Sequence, residues 1–314
     1  MSNRRRMMMR NRGSDIPKNC LRFIALEPGT FTFFYGNNMD VRTNGDAFMQ
    51  YSVNRKEWVR LNFKKGESIT TPTVKVGDIV YWMGYHGSLG KTSSTSYCLF
   101  SSTGKFNMSG DIRSIIDVST MGGDYLYGAS YGFTLNSLFI GSKIVDASKL
   151  ILPPAYYMQA YGHMFENCIH MVYPPKVLGP NRTVIHGSGI GRNTDAVFQG
   201  CTSLVRSPRL LAENGKLQTY EYNVLFGSCS SLKRIEMLAT DISETGCLNT
   251  WVSGVPNTSD GILVKHIDAT WEKTGNSGVP SNWKVIYLNP ATEKYYLSDK
   301  TTECDENGNV INQV

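Results

Sequence analysis

Four segments of this chain repeat one pattern, and that repetition limits the fold more than any other feature. Aligned on Phe139, Phe165, Phe198 and Phe226, they read SLFIGSKIVDASKLIL, HMFENCIHMVYPPKVL, AVFQGCTSLVRSPRLL and VLFGSCSSLKRIEMLA. Each runs apolar-Phe-x-x-small-x-x-apolar, then a second apolar pair. The small position is Ser142, Cys168, Cys201 and Cys229; the next apolar position is Val145, Met171, Leu204 and Leu232. The later pair is Ile151–Leu152, Val177–Leu178, Leu210–Leu211 and Leu238–Ala239. Successive Phe are 26, 33 and 28 residues apart. A pattern returning at about 20–50 residues implies stacked units, because one unit cannot bury its apolar edge alone. Phe, Cys and Leu at these offsets are expected to form interior ladders. Cys fits a narrow interior slot as a small hydrophobe. Metal binding by stacked thiols is the weaker reading, since no His or carboxylate recurs in register.

The repeats resemble the BspA-like (Treponema pallidum-type) leucine-rich repeats of gut Bacteroidales and their phages, whose units carry Ala-Phe-x-x-Cys-x-x-Leu. This chain has Leu138, Met164, Val197 and Leu225 in place of the Ala, and insertions near Gly179–Gly191 and Ala212–Tyr220. The resemblance implies a short, irregular solenoid over 106–245. The segment 246–288 resembles the terminal cap of such proteins, with Trp251, Trp271 and Trp283 covering the last repeat. Packing is favoured over sugar stacking for these indoles.

Upstream, LRFIAL, TFTFFY, FMQYSV, EWVRL, SITTPTV, DIVYWMGY and SYCLFS are short β-rich runs separated by turn residues such as Gly36–Asn37–Asn38 and Gly77–Asp78. Such punctuation predicts a β-sandwich-like module over 16–105. TGKFNMSGDIRSII leads into the repeats. The end of the chain, 289–314, reads as a hairpin turning at Asn289–Pro290, then a polar tail from Cys304 expected to be mobile. A hairpin edge could pair with another chain or be guarded by Lys284 and Lys294. The fold class expected is mainly β: a sandwich-like module, a repeat solenoid and a cap.

The net charge of +6 suggests nucleic acid until it is divided along the chain. Arg4, Arg5, Arg6, Arg10 and Arg12 lie in the first twelve residues, which leaves 27 basic against 26 acidic residues elsewhere. The basic leader, 1–15, is a candidate attachment peptide or a solvated tail. Its Met7–Met9 are followed at once by Arg10, so a signal peptide is not expected, nor is a membrane span. Seven Cys in an odd set argue against a disulfide framework.

No motif singles out a catalytic site. His86, His163, His170, His186 and His266 have no metal spacing, and VIHGSGIG at 184–191 lacks the Lys–Ser/Thr of a phosphate loop. No metal or cofactor is expected. Read with the resemblance, the chain is expected to be a non-enzymatic structural or display component of a bacteriophage virion, such as a fibre or decoration protein. It would be assembled in the host cytoplasm, with other virion proteins and host-surface glycans as partners. It would act as a homo-oligomer or within a larger assembly, without specific nucleic-acid binding. The alternatives are a bacterial BspA-like adhesin and, less favoured, a glycan-active enzyme.

Overall fold

A computed structural model describes residues 16–36, 47–62, 64, 66–85, 98–117, 121, 135–154, 160–179 and 194–311. The Arg-rich leader and the VIHGSGIG segment lie outside the described residues. Among the described residues strands dominate, accompanied by two 3-10 turns, Ile112–Ile115 and Gly275–Ser277. Among the described residues no helix is long and apolar enough to cross a membrane.

The β-rich runs form strands β1 (Leu21–Ala25), β2 (Phe31–Phe34), β3 (Phe48–Val53), β4 (Trp58–Asn62), β5 (Ser68–Thr70), β6 (Ile79–Tyr85) and β7 (Leu99–Ser102), followed by β8 (Phe106–Asp111) and β9 (Ile144–Ile151). One sheet has the order β4-β3-β6-β1-β8-β9; a smaller one has β5-β2-β7. Alternation decides the faces: Leu21, Phe23 and Ala25 of β1 are buried, while Arg22 and Ile24 are half-buried. Phe23 meets Phe31 at 5.3 Å and Phe100 at 5.4 Å between centroids, which joins the two sheets. Such tilted aromatic contacts add to the burial of large rings.

The passage into the repeats is a strand pairing. β9 belongs to the first repeat and runs parallel to β8, with Gly110 opposite Leu150. An isolated bridge, Asp146 to Tyr173, then leads to the second repeat. Beyond it lie β10 (Val177–Leu178), β11 (Arg206–Leu210), β12 (Arg234–Met237), β13 (Ile262–His266) and β14 (Lys284–Asn289), all parallel in that order. β15 (Lys294–Tyr296) and β16 (Glu303–Cys304) finish the sheet antiparallel. One hydrophobic cluster runs from Leu21 to Trp283, so the core is continuous across residue 105.

Three sequence expectations are corrected. In the first repeat the buried apolar residue is Ile144, and Val145 is half-exposed. Val145 O accepts from Val172 N, just as Val205 O accepts from Lys233 N, so the first repeat is one residue shorter than the others here. The later apolar pairs also fall out of step. Leu178, Leu210 and Met237 share one register and are all fully buried, whereas Val177 is exposed. The tail is folded through Ile311: Cys304 is buried and pairs with Val310, and the Asp305 carboxylate accepts from Asn307 N and Asn309 N.

Candidate functional site: the stacked turns and their exposed faces

The repeats stack as rungs whose geometry follows from where backbone N–H groups go. Offsets are counted here from each Phe. Even offsets donate to the next rung: Ser137 N to Gly162 O, Phe139 N to Met164 O and Gly141 N to Glu166 O. The same register recurs as Phe165 N to Val197 O, Phe198 N to Leu225 O and Phe226 N to Trp251 O. Odd offsets fold back three residues, as in Ile140 N to Ser137 O and Ser142 N to Phe139 O. Every buried N–H needs such a partner, and the alternation provides one without regular helix or strand. It also requires positive φ on both sides of the Phe, two residues away. Those positions are Ser137 and Gly141, His163 and Asn167, Ala196 and Gly200, Val224 and Ser228. Val224, β-branched at φ 52°, bears the largest steric penalty of the set.

Inside, the rings stack. Phe139, Phe165, Phe198 and Phe226 follow one another at 5.8, 5.7 and 5.8 Å with interplanar angles of 12–14°. Phe100 of β7 heads the column, 5.3 Å from Phe139, so the three-stranded sheet supplies the first rung. The small column has a second role beyond size. Cys168, Cys201 and Cys229 Sγ donate to Phe139, Phe165 and Phe198 O at 3.0–3.1 Å, and Ser142 Oγ donates to Phe100 O at 2.8 Å. Each rung therefore hydrogen-bonds the carbonyl of the Phe above it. Leu204 and Leu232 are buried beside them.

Trp251 belongs to a fifth rung, which the sequence reading assigned to the cap. Tyr222, Val224, Phe226 and Ser228 N–H donate to Cys247, Asn249, Trp251 and Ser253 O in the register of the earlier rungs. Val252 takes the place of Phe, Val255 that of Cys, and Trp251 the apolar place before Phe. The signal was present in the 26 residues between Phe226 and Val252. The end is closed by residues 276–278: Val252 N donates to Asn276 O, and Trp251 Nε1 to Gly278 O at 2.8 Å. Trp283 is buried, with Nε1 on Pro256 O, and Trp271 is half-buried, with Nε1 on Ala239 O.

Burial decides the chemistry of the thiols. It pushes Cys168 and Cys229 up to about 12 and Cys201 well above its ordinary value, so all three are neutral near pH 7. A buried thiol that cannot ionise is a poor nucleophile and ligand. Among the described residues no group of three His, Cys, Asp or Glu is placed to hold a metal ion. All seven Cys are free and buried. A disulfide-exchange reagent at pH 8 is therefore expected to modify them only as fast as the fold opens, and to count seven thiols after denaturation. Prompt labelling of Cys168, Cys201 or Cys229 in the native protein would refute this packing.

Two outer surfaces remain. The turn face carries a polar column that runs from buried Asp195 through half-buried Asn223 to exposed Asn249: Asn223 Nδ2 donates to Asp195 Oδ1 at 2.8 Å and Asn249 Nδ2 to Asn223 Oδ1 at 2.7 Å. Beside it His163 Nδ1 lies 2.7 Å from Glu166 Oε2. The outer sheet face carries Arg206, Arg209, Arg234 and Lys284 beneath the C-terminal hairpin. Arg209 bridges Glu236 and Glu293, and Glu293, then Glu236, hold its guanidinium more firmly protonated than usual. The attachment candidates Arg4, Arg5, Arg6, Arg10 and Arg12 lie outside the described residues. Comparison with protein families, curated proteins and solved structures finds no match.

Proposed function

We propose that the chain is a non-enzymatic display component of a bacteriophage particle. In this reading it is a short BspA-like leucine-rich-repeat solenoid carried on a β-sandwich-like module. One observation carries the recognition half of the proposal. The stacked rungs hold Asp195, Asn223 and Asn249 as a hydrogen-bonded column on the turn face. Stacked repeats serve as extended binding surfaces because each rung fixes the next. Asp195 is buried and anchors the column, while the half-buried Asn223 and exposed Asn249 present planar amides suited to hydrogen bonding with host-surface glycan hydroxyls or a neighbouring virion protein. The particle half rests on the sequence resemblance, with the Arg-rich leader as the attachment peptide. The thiols are consistent with a structural role, since each is spent on an interior contact.

Mass spectrometry of purified particles tests the assignment, with the chain expected at the copy number of a structural protein. Its absence from particles overturns the proposal. A glycan array then separates the two kinds of partner. Binding lost in Asn223→Ala supports glycan recognition by the turn face, and binding that survives it removes that face from the role.

A further inference from the structure

The outer face of the parallel sheet contains an arginine whose chemistry is unfinished. Arg206, Arg234, Ile262 and Lys284 form one register column across β11 to β14. The turn from Asp305 to Gly308 lies over it. Arg234 Nη1 donates to Glu306 O, and Lys284 Nζ to Gly308 O. Arg234 Nε and Nη2 are buried and have no hydrogen-bond partner. These two atoms form one edge of the guanidinium, the edge that holds two oxygens of one oxyanion side by side. A buried donor pair without an acceptor is costly, and water or an anion is what such a pair can take up. The Glu306 carboxylate stands beside the column, its Oε2 4.0 Å from Arg206 Nη2, an ion-pair distance without a hydrogen bond. The Tyr295 ring, 5.6 Å from the Arg234 guanidinium carbon, walls the other side.

We infer that this column is a latent site for a phosphate or sulfate group, masked by the Glu306–Gly308 turn. A tetrahedral oxyanion suits it better than a carboxylate. Two of its oxygens take the Arg234 edge and a third is left for Arg206, the in-register neighbour one strand spacing away. Glu306 occupies the approach as a tethered competitor. Ligand entry displaces the turn, whose hold on the sheet at Arg234 and Lys284 is through backbone carbonyls alone. The group can arrive as a free inorganic ion or on a sulfated polymer; both present the same oxygens. This inference is independent of the function proposed above.

The test is calorimetric titration of the full chain with inorganic sulfate, inorganic phosphate and a sulfated polysaccharide, against chloride at equal ionic strength. Saturable binding of an inorganic anion is expected. Arg234→Lys keeps the charge and loses the two-donor edge, and should weaken binding at least tenfold. Glu306→Gln removes the competitor and should tighten it several-fold, with faster amide exchange across 305–310 on binding. A purely structural Glu306 would not give that gain. Polymer binding much tighter than the free ions, and equally sensitive to Arg234→Lys, identifies an anionic glycan as the source; equal affinities identify the free ion. No saturable binding, or binding of any of the three that survives Arg234→Lys, overturns the inference. If Arg234→Lys does not fold, Glu306→Gln decides alone: unchanged or weaker binding is then the refuting result.

Discussion

Phe198→Ala is expected to destabilise the protein by about 3–5 kcal/mol, the range for deleting a buried phenyl ring. Phe198 is fully buried and has a stacked neighbour on each side, Phe165 at 5.7 Å and Phe226 at 5.8 Å. The cavity would open in the middle of the column, where the hydrogen-bond ladder fixes the rungs above and below and hinders collapse. Urea denaturation measures it, as a fall in midpoint with an unchanged slope. Because one core runs from the N-terminal sheets to the end of the stack, a single transition is expected. A loss below about 1 kcal/mol, or a second transition confined to the repeats, would mean that the rungs do not share their stability.

Asp111→Ala is expected to cost a similar amount, about 3–5 kcal/mol, for an electrostatic reason. Asp111 and Arg113 are both buried, and the carboxylate meets Arg113 Nε at 2.8 Å and Nη2 at 2.5 Å. Asp111 Oδ1 also accepts from Arg113 N, capping the 3-10 turn Ile112–Ile115. Truncation takes this carboxylate from a guanidinium that remains inside. The pair lies at the end of β8, where Asp111 stands opposite Ile151 of β9 in the first repeat. The double variant Asp111→Leu with Arg113→Met replaces both charges by apolar groups and should recover much of the loss. If the double variant is as unstable as the single one, the cost comes from the lost cap rather than from the broken ion pair.

The repeat was legible because it is a pattern of residue type, and residue type reports burial. Phe139, Phe165, Phe198 and Phe226 therefore fell in one column, with the small residues in another. The β-rich runs and the hairpin were legible through alternation and turn residues. Phe100 was hidden because nothing local marks a strand of another sheet as a rung. The fifth rung was hidden because Val252 and Val255 replace Phe and Cys, and the large Trp251 beside them drew the eye to capping. The one-residue shortening at Ile144 was invisible because Val145 is equally apolar. The Arg234 column could not be read at all. It depends on parallel register between strands 28 and 22 residues apart, and on a polar tail folding back over them.

Both ends of the ring column are sealed. Upstream, Phe100 is held within the β5-β2-β7 sheet; downstream, residues 276–278 lie over Trp251 and Val252. A stack of identical turns would otherwise offer a half-built interface at each end, and copies could add head to tail without limit. Here the number of rungs is a fixed length, set by the gene and not by concentration. A second copy therefore cannot extend this stack by adding its own turns to either end of the ring column.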